Sequence, residues 1–163
     1  MSSWAFWSRQ LKDVDSAVQR LERYLIIKIT IYMKVAALNL NDKDKWAQLY
    51  YGYAEFYDMK MNQDILDTVW SWIHSPEVKF YSIAVKSSEN ELIGFMHYRE
   101  MPSPLRGKLV GFLDDLFVHP DFRGTGAVQL LFGELKIQAK KNDWPYVRWI
   151  TATDNSRARK VYN

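Results

Sequence analysis

Apolar positions along the chain keep two different rhythms, and the changes between them outline the elements. Trp46, Leu49, Tyr50, Tyr53 and Phe56 or Tyr57 recur at helical steps, with Asn41 or Asp42 placed to cap the start of the helix. Beyond the polar residues 58–62, a second helical stripe of Ile65, Leu66, Val69, Trp70 and Ile73 ends at Ser75-Pro76. The period then drops to two. Residues 80–86 alternate as a strand, 87–90 are turn material, 92–99 form the return strand of a hairpin, and Pro102-Ser103-Pro104 breaks the chain before a fourth strand. That strand carries Phe112, Leu113, Leu116, Phe117 and Val118, is interrupted by Asp114 and Asp115, and stops at His119-Pro120 because proline cannot continue the ladder. Helical spacing returns with Val128, Leu131, Phe132, Leu135 and Ala139, set against Lys136 and Lys140, until Asn142 and Pro145 mark the end. Residues 146–152 read as a fifth strand. At the other end, Leu11, Val14, Val18 and Leu21 share one helical face, the Ile-rich residues 24–32 read as strand-like, and residues 33–38 resemble the first strand of a domain.

The turn Arg123-Gly124-Thr125-Gly126 joins the fourth strand directly to a helix. Glycines let backbone N–H groups crowd together at a helix start, where the unpaired donors and the helix dipole hold an anion. Arg123 adds positive charge beside them. A Walker loop would need Lys and Ser or Thr where Ala127-Val128 stand, and a dinucleotide fingerprint would need a third glycine at Gln129. A phosphate or pyrophosphate cradle is left, with a capped turn that binds nothing as the bland alternative.

Composition narrows the classes further. A chain of 163 residues with 48% hydrophobic content suits a domain with a sizeable core, and a net charge of +3 spread over both signs leaves no nucleic-acid footprint. The absence of cysteine excludes disulfides, thiolate metal sites and an acyl-cysteine intermediate. No apolar stretch reaches the roughly 20 residues that span a bilayer. The expectation is a cytoplasmic protein without metal, nucleic-acid or membrane partner.

The segment Arg123-Gly124-Thr125-Gly126-Ala127 after an apolar strand resembles the acyl-CoA loop of the GNAT superfamily of N-acetyltransferases: Gln or Arg, two residues, Gly, one residue, then Gly or Ala. Val128 departs from the last position. Asn155, Ala158 and Tyr162 match the family's later spacing of Asn, two residues, Ala, three residues, Tyr, and residues 92–126 are most similar to the spermidine/spermine acetyltransferase branch. The resemblance implies an α/β (α+β) fold, a mixed and mostly antiparallel sheet flanked by helices with the acyl-CoA loop after its fourth strand. It implies a domain over 33–163 that lacks the family's usual last strands, with 1–32 as an extension. The exposed sheet edge this would leave makes a homodimer an option.

By the same resemblance, acetyl-CoA is the co-substrate, held by Leu116, Phe117, Val118, Arg123, Gly124, Thr125, Gly126, Ala127 and Asn155. The Leu116 N–H would polarise the thioester carbonyl, and Tyr162 would protonate the departing thiolate. The acceptor is a primary amine on a polyamine, small amine or amino acid, attacking directly in a ternary complex. The alternative is a CoA-binding or interaction module with little turnover. The two leading helices would wall the acceptor site, within reach of Tyr51, Tyr57 and Trp72, although an aromatic stripe is first of all core. Asp114 and Asp115 would serve the acceptor as catalytic carboxylates. Strand alternation turns neighbours to opposite faces, so they should not act as a proton-sharing dyad unless a bulge re-aims one of them. His97 shares a face with Phe95 and Arg99 and reads first as a packed, hydrogen-bonded imidazole.

Overall fold

Residues 18–25 and 33–150 are described by the computed structural model. Residues 18–25 are helical, which corrects the strand-like reading at Tyr24 and Leu25. The remainder of that reading, 26–32, lies outside the described residues.

A five-stranded sheet runs in sequence order: β1 (Lys34–Ala36), β2 (Phe80–Lys86), β3 (Leu92–Ser103), β4 (Lys108–Val118) and β5 (Val147–Trp149). The first three junctions are antiparallel and the β4–β5 junction is parallel. Helices α1 (Lys43–Phe56) and α2 (Gln63–His74) separate β1 from β2, and α3 (Ala127–Lys141) separates β4 from β5. The parallel pair needs such a crossover, because a tight turn can join only antiparallel neighbours.

Each sheet face owns a core. Ile83, Ile93, Met96, Tyr98, Leu113 and Val118 meet Leu131 and Leu135 of α3 on one side. On the other, Ala84, Leu92, Phe95 and Phe117 meet Trp46 and Leu49 of α1 and Leu66, Val69 and Trp70 of α2. Two-sided burial accounts for strands that read as apolar runs more than as clean alternation.

Local details correct several expectations. Asn62 caps α2 by accepting from the Ile65 N–H, but neither Asn41 nor Asp42 caps α1 through its side chain. Both Asp42 oxygens instead lie 2.7 Å from Lys86 Nζ in a buried ion pair, and Asn39 caps the short turn Leu40–Asp42. The return strand does not end at Arg99. It runs through Pro102, which pairs with Leu109. β2 has already stopped at Phe80, opposite Arg99, so Pro102 sits where β3 has become an edge and tolerates a missing donor.

The largest correction lies between β3 and β4. His97 pairs with Asp115 while the next residue, Tyr98, pairs with Leu113, leaving Asp114 as the extra residue of a bulge. Alternation fails at that point. Asp114 reaches Arg99 and Asp115 reaches His97, two residues of one face of β3, so both carboxylates lie on the α1 side.

Candidate active site

The β4–β5 ladder comprises Gly111, Phe112 and Leu113 against Val147, Arg148 and Trp149, whereas β4 continues to Val118. Past Leu113, no described strand borders β4 on that side. The His119 N–H donates to the Ile93 carbonyl at 2.9 Å, so the alternation of an antiparallel ladder turns the backbone groups of Leu116 and Val118 away from β3 and toward this gap. Phe117 points the opposite way, into the core beneath α1.

At the end of β4 the chain closes a short turn and enters α3. Gly124 and Gly126 hold φ of +83° and +93°, a left-handed backbone that favours glycine. A Cβ built on Gly124 would meet nothing within 4 Å, so glycine answers to conformation there and the space above the turn is open. Gly126 occupies the capping position of α3 and brings no side chain to it. Arg123 donates from Nε to the Val118 carbonyl at 3.1 Å and lays its guanidinium over Phe117, 5.6 Å from the ring centroid. Thr125 Oγ1 donates to the Phe122 carbonyl at 2.6 Å, which tightens the turn. Ala127 is buried, and Val128 packs against the α3-side core, so the departure at Val128 is spent on packing. A positive residue, a glycine-built nest and an uncapped helix start fit the diphosphate of a CoA molecule.

The carboxylates sit on the other side of β4, each with its own partners. Arg99 Nε donates to both oxygens of Asp114 at 3.1 Å, and the same guanidinium lies 4.8 Å from the Phe112 ring centroid. Asp115 Oδ2 accepts from the Tyr50 hydroxyl at 3.0 Å and lies 2.9 Å from His97 Nδ1, and the Tyr53 hydroxyl stands nearby. Behind them the Trp46 indole donates to His97 Nε2 at 3.0 Å, and His97 is fully buried.

These surroundings drive the two groups apart. Burial pushes the Asp114 carboxyl up, with the charge of Asp115 adding to it, and Arg99 only partly offsets the rise. Burial acts in the same sense on Asp115, but the interactions with His97, Tyr53 and Tyr50 outweigh it and hold that carboxyl below its ordinary range. Burial and the Asp115 charge push both Tyr50 and Tyr53 hydroxyls up, so each stays a donor.

Asp114, Asp115, Leu116 and Val118 thus line one bulged stretch of strand, with Arg123–Ala127 at its end. Asn155 and Tyr162 lie outside the described residues. Of the aromatic candidates, Tyr51, Tyr57 and Trp72 are substantially exposed, with Trp72 against Phe80. Tyr50 and Tyr53 touch the carboxylate instead. Their helical spacing put them in the stripe, but nothing local distinguishes a stripe tyrosine whose hydroxyl finds a buried carboxylate from one that only packs. Trp46 and Arg99 were hidden for the same reason. Each depends on a partner more than ten residues away.

Comparison with known proteins gives the family to which this fold belongs. The model of the acetyltransferase (GNAT) family matches residues 44–163, and the chain belongs to that family. It is an acetyl-CoA-dependent acetyltransferase that acts on amine acceptors. It is similar to the D-amino-acid N-acetyltransferase HPA3 of Saccharomyces cerevisiae, with 26% identity over 129 residues that cover 78% of this chain and 80% of the relative. Among solved structures, a probable acetyltransferase superposes with a TM-score of 0.71 at 25% identity, covering 79% of this chain and 85% of the other. The ribosomal-protein-alanine N-acetyltransferase of Brucella melitensis biovar Abortus 2308 shares the fold at a TM-score of 0.67 and 23% identity, covering 80% and 87%.

Proposed function

We propose that this acetyltransferase moves an acetyl group from acetyl-CoA to the primary amine of a small cationic acceptor, a polyamine, small amine or amino acid, by direct attack in a ternary complex. The observation that carries the reading is the pair Asp114 and Asp115 on one face of β4, bordered by Tyr50 and Tyr53 of α1. Negative charge beside aromatic rings attracts an ammonium by Coulomb and cation–π forces together.

An amine with the lysine-like reference of about 10.4 arrives protonated and must lose a proton before its nitrogen can attack. Asp114, held up by burial, is the better proton acceptor, directly or through water. Asp115, already bonded by His97, Tyr50 and Tyr53, is the weaker base and supplies steady negative charge. Acetyl-CoA brings the thioester whose carbonyl carbon the amine attacks. The outward-facing Leu116 N–H would polarise that carbonyl, and the backbone of Val118 continues the wall of the gap, whereas Phe117, expected there too, is turned into the core beneath α1. Arg123, Gly124, Thr125, Gly126 and Ala127 would hold the diphosphate. Asn155 would anchor the pantetheine amide and Tyr162 protonate the departing thiolate; Tyr162→Phe should lower turnover more than acetyl-CoA affinity, and unchanged turnover would remove it from the role.

The reading includes a cytoplasmic protein that pairs with a second copy through its sheet edge. Light scattering at the monomer mass over a wide concentration range would dismiss the pairing. The acceptor is tested by thiol release from acetyl-CoA over polyamines, small amines, D- and L-amino acids and a lysine peptide. Turnover concentrated on small cationic amines is expected. Turnover on the peptide alone, or acetyl-CoA binding with no thiol release from any amine, would overturn the reading.

A further inference from the structure

We infer that His97 is a positioning residue: a neutral imidazole, fixed between the Trp46 indole and Asp115, that holds Asp115 as an oriented anion next to Asp114. The inference rests on the acceptor reading above for its catalytic meaning, and on geometry alone for the state of the ring.

The indole N–H of Trp46 can only donate, and it meets His97 Nε2 at 3.0 Å. Nε2 must therefore offer its lone pair, which leaves the proton on Nδ1. Nδ1 lies 2.9 Å from Asp115 Oδ2, where an N–H donor is what a carboxylate requires. The alternatives are both penalised. An imidazolium, or the tautomer with its proton on Nε2, would set two N–H groups against each other at a buried position with no acceptor between them. The second tautomer would also aim the Nδ1 lone pair at the carboxylate.

Packing keeps the ring from turning to escape. Tyr50 meets it edge-on at 5.0 Å between centroids, Phe95 lies at 4.6 Å, Phe80 at 5.4 Å and Trp46 at 5.8 Å. The bulge completes the device, since it is what sets Asp115 opposite His97 and still leaves Asp114 on the same face. The groups that face Asp115 are Tyr50 and Tyr53 from α1, His97 from β3, and Asp114 on its own strand with Arg99 behind it. Arg99 is already committed to Asp114. His97 is thus the donor from β3 that fixes which way Asp115 points and that it remains charged.

Two measurements test this. In protein labelled with 15N-histidine, long-range 1H–15N correlation should show His97 protonated at Nδ1 and bare at Nε2. The other tautomer, or an imidazolium, would overturn the inference. For catalysis, the carboxyl 13C shift of Asp115 is followed against pH in His97→Phe and His97→Asn, beside kcat/KM for the amine. The phenylalanine variant loses the donor to Asp115, whose titration should move up by about one pH unit while kcat/KM falls. The asparagine variant keeps a side-chain N–H near the Nδ1 position and should hold both near their original values. Equal loss of rate in both variants with an unmoved Asp115 titration would mark His97 as packing only. Should His97→Phe fail to fold, the comparison of His97→Asn with the unaltered protein stands in its place, and loss of rate in His97→Asn with an unmoved Asp115 titration would overturn the positioning role. If no amine is turned over, the spectra still decide the state of His97, while the acceptor reading falls separately.

Discussion

At the residue scale the two neighbouring aspartates are the informative contrast, because one bulge gives them opposite environments. Asp114 is half-buried against one guanidinium, whereas Asp115 collects donors from two elements. Their linkage to stability has opposite sign. A carboxyl held above its unfolded value costs stability as pH rises through the raised value, since the folded state must give up a proton it would keep. A carboxyl held below its unfolded value contributes stability that is fully present above about 3.9 and is lost as pH falls through the lowered value. Asp114→Asn is therefore expected to raise the melting temperature at neutral pH while lowering turnover by about 100-fold, as loss of a general base does. Asp115→Asn should lower the melting temperature at neutral pH, with the deficit shrinking in acid. Thermal melts paired with thiol release check both, and equal melting behaviour of the two variants would contradict the assigned environments.

At the element scale, the fold relies on a few contacts that hold strand ends in place. Lys86 at the end of β2 and Asp42 at the start of α1 form a buried ion pair, with the lysine side chain 2% exposed. Deleting one partner of such a pair strands the other in a low-dielectric interior. Lys86→Met should cost about 3 kcal/mol or more, and Asp42→Leu combined with it should recover most of the loss. Urea unfolding midpoints with an unchanged slope would register both results. The turn before α3 behaves differently, because its glycines answer to backbone angle and no neighbour crowds Gly124. Gly124→Ala is expected to cost about 1 kcal/mol in the left-handed region. Part of that cost should appear as roughly threefold weaker acetyl-CoA binding by calorimetry, if backbone N–H groups of the turn hold the diphosphate. Unaltered affinity would return the turn to a simple helix cap.

At the scale of the whole molecule, the sheet carries two faces and two chemistries. The face covered by α1 and α2 holds the carboxylates, and the gap beside β4 ends at the glycine turn before α3. We place the start of the domain near Met33. Val18, Leu21 and Leu25 of the helical residues 18–25 are exposed, so limited proteolysis should cut before Met33 and leave the following residues as a resistant fragment by mass spectrometry. Equal resistance of both parts would reject that boundary. Much of this architecture was legible in the chain. Period 3.6 in Trp46 to Phe56 and in Val128 to Ala139, strands at 80–86 and near 112–118, and the Arg123–Ala127 turn are local signals set by side-chain spacing and by glycine's freedom of φ. A bulge in this strand could be named as an option, but its place at Asp114 could not be read, because it is a property of register between two strands, and one inserted residue looks like any other in sequence. The same holds for Asp42 leaving its cap for Lys86, for Pro102 remaining in a strand whose neighbour had ended, and for Tyr50, Tyr53 and Trp46 turning from core stripe to hydrogen-bonding site. Sequence by itself determined the elements and the glycine turn before α3, since each is decided within a few residues. Only tertiary structure decided which face each carboxylate meets and which donors surround it, since buried charge takes its properties from neighbours that the chain brings from far away.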